Sequence, residues 1–159
     1  MAATDRLTHL TDDGAARMVD VSEKAVTARV ARARGRFVTT PAVIDLLREH
    51  GLAKGDALAV ARIAAITGAK KTSELVPLCH PIGLHSVDVE LTLGEGEVLI
   101  EVTTRTAERT GVEMEALTAV ATAGLTLYDM TKAVDRSARL TDVELVSKDG
   151  GRSGHWERT

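Results

Sequence analysis

The sequence predicts an α+β domain in which helices cover one face of an antiparallel sheet. Three observations predict it. Residues 85–93 alternate apolar and polar positions, with Val87, Val89, Leu91 and Leu93 facing one way and Asp88, Glu90 and Thr92 the other. Beyond the turn Gly94-Glu95-Gly96, Val98, Ile100 and Val102 continue the alternation, the pattern of a hairpin with one buried face. Thr110–Val134 is rich in Ala and Leu, holds no proline and keeps its charges near its ends, as a long amphipathic helix does.

The elements follow in chain order. Residues 1–17, with Thr4, Asp5, Thr11, Asp12, Asp13 and Gly14, are expected to form a mobile arm before a single domain over 18–159. Met18–Val21 is expected to be a short strand. Glu23–Arg36 carries Lys24, Arg29, Arg32, Arg34 and Arg36 among alanines and valines. That pattern fits a solvated face or an edge strand, and equally a place where Arg29 or its neighbours hold a substrate anion. Arg36–Thr40 reads as a strand stopped by Pro41, which suits the first turn of a helix over Ala42–His50 ended by Gly51. A second helix follows Lys54-Gly55, with Asp56 in its first turn, and Gly68 is expected to break or end it. In the long helix, Thr110 as N-cap and Glu113 three residues on make a T-x-x-E capping box. Leu117, Val120, Ala121, Gly124, Leu125 and Tyr128 fall at the spacing of its buried face, and Ala119, Ala121, Ala123 and Gly124 would let another backbone approach. Leu140–Ser147 reads as a last strand and Asp149–Gly154 as a loop. Strand, helices, strand, strand, long helix, strand is the split βαββαβ, ferredoxin-like arrangement. It hosts many unrelated functions, so activity has to be argued from the site.

Composition narrows the classes. At 159 residues the chain is one domain by length, able to bury about 68–70% of its unfolded surface. Its 44% hydrophobic and 27% charged content is that of a soluble globular protein. Phe37, Tyr128 and Trp156 are the only aromatic residues, too few for a platform that stacks bases, and the net charge of −3 gives no basic footprint, so no nucleic-acid partner is expected. Cys79 is the only cysteine, which leaves no intramolecular disulfide and fits a reducing compartment. No stretch approaches the ~20 apolar residues of a membrane span, and the first twenty residues lack the apolar core of a signal peptide. A cytoplasmic protein with no membrane partner is expected.

The least generic stretch is Lys70–Pro81, KKTSELVPLCHP. Pro77 and Pro81 bracket Leu78-Cys79-His80, fixing φ at both prolines and pushing Val76 and His80 out of the helical region. A histidine held so rigidly suits a proton donor, an anion ligand or a metal ligand, or a purely structural part. Cys79-His80 is also half a zinc site, but no second cysteine exists, and nothing marks Cys79 as a low-pKa nucleophile. Asp129 and Lys132, three apart near the end of the long helix, share a face. They are either a surface ion pair or, among Leu125, Leu127, Tyr128, Met130 and Val134, a half-buried pair able to exchange protons with a substrate. Lys54 stands where Gly55 allows close approach, as a solvated lysine or a functional one. KDGGRSG at Lys148–Gly154 has the composition of a phosphate-cradling loop but not P-loop spacing. Glu115 and Asp129, fourteen residues apart on one stripe, stand about 21 Å apart in a helix. One small substrate cannot touch both from a single chain, so an oligomer with sites shared between subunits is expected.

These residues resemble a known family. KKTSELVPLCHP followed by TGVEMEALTAVATAGLTLYDMTKAV is similar to the molybdenum cofactor biosynthesis protein C family, the cyclic pyranopterin monophosphate synthases. The likeness extends to MVDVS at Met18–Ser22, KGD at Lys54–Asp56 and KDGGRSG, so it covers nearly the whole chain. It implies a lyase that turns (8S)-3',8-cyclo-7,8-dihydroguanosine 5'-triphosphate into cyclic pyranopterin monophosphate, with release of diphosphate. By resemblance, Asp129, Lys132 and Lys54 are catalytic, and Leu78, Cys79, His80, Glu113, Met114 and Glu115 contact substrate; His80 is further expected to act catalytically by orienting the substrate or donating a proton. Lys70 and Lys148 are expected to meet phosphates. The family forms homohexamers, trimers of dimers, with sites at subunit boundaries. No resident metal and no redox cofactor is implied; Mg²⁺ held weakly on the substrate phosphates is the one metal left room for. Arg152 stands where some relatives carry Lys, and Gly68 where many carry Ala. A nucleotide sensor without turnover and a non-catalytic scaffold are the rival readings, and turnover of the cyclised precursor separates all three.

Overall fold

The computed structural model describes residues 9–11 and 13–159. It holds β1 (Thr27–Val38), α1 (Pro41–Arg48), α2 (Ala57–Lys70), α3 (Thr72–Leu75), β2 (Ser86–Leu93), β3 (Glu97–Glu108), α4 (Glu113–Thr131), β4 (Arg139–Asp149) and β5 (Trp156–Glu157). The sheet is antiparallel in the order β2-β3-β1-β4-β5. Without β5 this is the expected ferredoxin-like arrangement.

The buried faces explain the layering. Ala31, Ala33 and Phe37 of β1 and Val98, Ile100 and Val102 of β3 point at α4, which answers with Ala116, Ala119, Val120, Ala123 and Leu127. Small residues let α4 lie close to the sheet: a Cβ added at Gly124 would come within 2.5 Å of Leu140, and one at Gly35 within 2.6 Å of Val120. Among the described residues, no helix is long and apolar enough to cross a membrane.

Several details depart from expectation. Met18–Val21 forms no strand, because no neighbouring strand is there to take its backbone groups. β1 is central, not an edge; pleating places Arg32, Arg34 and Arg36 on the solvent face, beside Glu101, Glu144 and Glu97 of the flanking strands. Gly68 does not end α2. It lies buried inside the helix, where the missing Cβ makes room for Thr122 of α4, whose Oγ1 would be 2.2 Å from it. The capping box at Thr110 does not form: Val112 is the N-cap and makes no side-chain cap bond. Val112 is buried in the core, and the Glu113 carboxylate turns instead to Lys148, 3.3 Å away. The buried stripe of α4 is rotated from the expected one, so Leu125 and Tyr128 face outward while Glu115, Ala116, Ala119, Ala123, Leu127 and Thr131 are covered. β5, beyond the expected loop Asp149–Gly154, is an addition to the expected strands and pairs with the end of β4. The expected arm over 1–17 lies largely outside the described residues; Leu10 and Ala16 form a bridge within its later part.

Candidate active site

Two groups of side chains form at opposite ends of α4. At its C-terminal end, Lys132 Nζ lies 2.6 Å from Asp129 Oδ1 and Lys54 Nζ 3.0 Å from Oδ2. Lys54 also donates to the backbone carbonyl of Asp129 at 2.8 Å. The loop between α1 and α2 delivers Lys54. Its exit is fixed by Asp56, whose side chain caps α2 by accepting from the Ala59 N–H. Gly55, at φ 97°, makes the turn that no β-carbon tolerates easily. Asp129 and Lys132 share a face because they are one turn apart, and Lys132 sits at the C-cap, where a cation meets the negative end of the helix dipole. The hydrogen bonds from Lys132 and Lys54 hold the Asp129 carboxyl below its ordinary value, and Asp129 holds Lys132 above its own. In the single chain this trio is exposed and not half-buried, with 47%, 57% and 50% side-chain exposure for Lys54, Asp129 and Lys132. The neighbouring Leu125 and Tyr128 face outward too, so among the described residues nothing covers it.

At the N-terminal end, Leu78, Cys79, His80, Glu113, Met114 and Glu115 line one cavity of about 390 Å³. A second cavity, of about 250 Å³, shares His80 and Glu115 with it and adds Lys70, Thr72 and Ser73. The sequence-predicted substrate residues therefore converge, although they come from the Pro77–Pro81 loop and the first turn of α4. Lys148 reaches them through its ion pair with Glu113 and also contacts Ser153 at 2.7 Å.

Three electrostatic details refine the roles. Glu115 is only 4% exposed, and burial, helped by the charge of Glu113, pushes its carboxyl up to about 7. It is thus poised to gain or lose a proton at neutral pH. Burial also raises the Cys79 thiol, with Glu115 adding to it, which is the reverse of what a thiolate nucleophile needs. The Nε2 of His80 lies 2.7 Å from the carbonyl oxygen of Val19. A carbonyl only accepts, so Nε2 carries the hydrogen, and Nδ1 is the atom left to face a ligand. Among the described residues, no group of three or more His, Cys, Asp or Glu side chains could hold a metal ion.

His9, Val19, Val21, Lys24, Thr110 and Gly111 also line the larger cavity, and the sequence reading does not name them as site residues. Lys24 was hidden in a run of five cations; its nearness to MVDVS was the available signal. Across α4, by contrast, the two groups do not meet. Fourteen residues of continuous helix separate Glu115 from Asp129, about 21 Å at the rise of an α-helix.

A sequence model of the MoaC family matches residues 18–151, a span that holds every candidate residue at both ends of α4. The chain belongs to the MoaC family. Its similarity to members of that family is spread over the whole chain. It is 57% identical over 159 residues to the cyclic pyranopterin monophosphate synthase of Streptomyces griseus subsp. griseus, covering 100% of this chain and 90% of that one. The Streptomyces coelicolor protein of that name is 58% identical over 155 residues, covering 98% and 91%. Cyclic pyranopterin monophosphate synthase 3 of Mycobacterium tuberculosis is 56% identical over 153 residues, covering 96% and 86%. In this MoaC family chain the matched span begins at Met18, so every residue lining the candidate cavity except His9 lies inside it.

Proposed function

We propose that the chain is a cyclic pyranopterin monophosphate synthase, a lyase of molybdenum cofactor biosynthesis. It converts (8S)-3',8-cyclo-7,8-dihydroguanosine 5'-triphosphate to cyclic pyranopterin monophosphate and diphosphate. The carrying observation is identity of 57% along the entire chain to a relative of that name. The geometry fits the chemistry. Closing the cyclic phosphate forms a bond from a sugar hydroxyl to the innermost phosphorus and breaks its bond to the diphosphate, while the hydroxyl proton passes to a base. The ammonium groups of Lys54 and Lys132 are donors suited to the developing phosphate charge, with Asp129 holding both in place until substrate arrives. Glu115 suits proton exchange during ring opening and rebuilding, and His80 offers Nδ1 to orient the substrate. Lys70 and Lys148 face its anionic end. The net reaction is neither an oxidation nor a reduction, so no redox cofactor is called for; Mg²⁺ would enter with the triphosphate.

The working unit is a homohexamer, a trimer of dimers, in which the Asp129 end of one α4 completes the Glu115 end of another. The 21 Å gap within one chain supports this, as do Val60, Ile63, Leu125 and Tyr128, which the packed pair α2 and α4 leaves exposed. Location in the cytoplasm fits the single free cysteine. Incubating the protein with the cyclised precursor and following the mixture by mass spectrometry tests the proposal. Cyclic phosphate product with stoichiometric diphosphate is expected, and recovery of unchanged precursor would sink it.

A further inference from the structure

Residues 18–24 run along the larger cavity without joining the sheet. Val19, Val21 and Lys24 line the cavity, so this strap forms one of its walls. Its internal order is a single turn, in which the Lys24 N–H donates to Val21 O at 3.0 Å, and a bond from the Ser22 N–H to the Asp20 carboxylate at 2.9 Å. Two side chains of the body hold it, His80 from the cavity lining and Arg109 from the exposed surface. His80 donates from Nε2 to Val19 O, and Arg109 donates from Nη1 to Ser22 O and, at 3.0 Å, to Lys24 O.

We propose that Arg109 is a positioning residue that fixes the strap 18–24 as the wall of the substrate cavity. Arg109 sits between the end of β3 and the start of α4, next to Thr110 and Gly111, which line the same cavity. One guanidinium therefore ties the strap to the loop facing it. A strap with no ladder hydrogen bonds has little else to hold its carbonyls, and a wall that moves binds its ligand less tightly than a preformed one. Arg109 is itself exposed and does not line the cavity, so its removal leaves the reacting groups untouched.

The proposal rests on the synthase reading for its kinetic arm only. Arg109→Ala should raise amide exchange of the peptide spanning Met18–Val26 by about tenfold or more, because both charge-assisted hydrogen bonds from Arg109 to the strap are lost, while α4 and β3 exchange as before. It should raise KM for the precursor by a similar factor and leave kcat within about twofold, because the guanidinium holds a binding wall and touches no reacting group. Arg109→Lys should recover part of both effects, since an ammonium keeps the charge and the N–H donors but sits on a side chain of different reach and shape. Unchanged exchange in Arg109→Ala, or faster exchange with unchanged KM, overturns the proposal. So does a fall in kcat alone, which would mark a merely structural role. If the unmodified protein turned nothing over, the synthase reading would fall, and the exchange measurement would still decide whether Arg109 holds the strap.

Discussion

The ammonium of Lys54 stands 3.0 Å from Oδ2 of Asp129, across 75 residues of chain. With Lys132 on the other oxygen, one carboxylate is bracketed by two cations, and the α1–α2 loop is docked on the last turn of α4. Asp129 is held below its ordinary value of 3.8 and Lys132 above its ordinary 10.5. A lowered carboxyl contributes fully above 3.8 and is lost only as pH falls through its depressed value. A raised ammonium contributes fully below 10.5 and is lost only as pH rises through its elevated value. Asp129 and Lys132 therefore keep their charges throughout the neutral range.

Asp129→Asn and Lys132→Ala should each lower kcat by about 10²-fold or more, in the range of a lost acid–base or charge-stabilising group. Because these side chains are exposed, thermal unfolding should shift little. Steady-state rates beside unfolding curves check both statements; wild-type turnover in a folded variant would remove the trio from the mechanism.

Since Asp129 and Lys132 do not titrate near neutrality, Glu115 is the group placed to supply a pH dependence there. Its carboxyl rises from 4.5 unfolded to about 7 in the fold. Between those values the folded chain holds a proton that the unfolded chain has lost, so stability falls as pH rises through this window and levels off above about 7. Glu115→Gln should abolish that slope. Denaturant titrations at about pH 5 and pH 8 measure it, and an identical slope in the variant would contradict the assignment.

Much of this was legible beforehand, for physical reasons. The β2–β3 hairpin announces itself because each strand has one wet face, and period-2 alternation survives in the sequence. KKTSELVPLCHP stands out because two prolines restrict its backbone independently of tertiary contacts. The start of α4 was misjudged because Val112 is drawn into the core and Glu113 is captured by Lys148, 35 residues away. The exposed stripe of α4 was misplaced because alanines fill so many positions that several faces satisfy the helical period. Gly68 was misread for a related reason: a glycine that admits a neighbouring helix and one that ends a helix look alike until the neighbour is known.

That neighbour makes Gly68 testable. Gly68→Ala would set a methyl 2.2 Å from Thr122 Oγ1 and 2.9 Å from its Cβ, so α2 and α4 must part. A loss of about 1–3 kcal/mol is expected, read by denaturant unfolding. Thr122→Ala in the same chain should return part of it, because it removes the nearest atoms, and the two effects should be clearly non-additive. Simple additivity would mean that the contact is not what glycine accommodates.

The separation along α4 leads to the most discriminating experiment. If each site joins the Glu115 end of one chain to the Asp129 end of another, a Glu115→Ala subunit and an Asp129→Ala subunit are each inactive alone. Paired across a two-fold interface, they build one site carrying both changes and one carrying neither. Random mixing then makes about half of the pairs mixed, and half of the sites in those pairs intact. About a quarter of wild-type activity should return after the two variants are unfolded together and refolded. Sites contained within single chains would give none, because every chain would keep its own defect. The size of the recovered activity also reports the interface: a quarter requires free exchange between partners, and a smaller value would mean that like subunits re-pair preferentially.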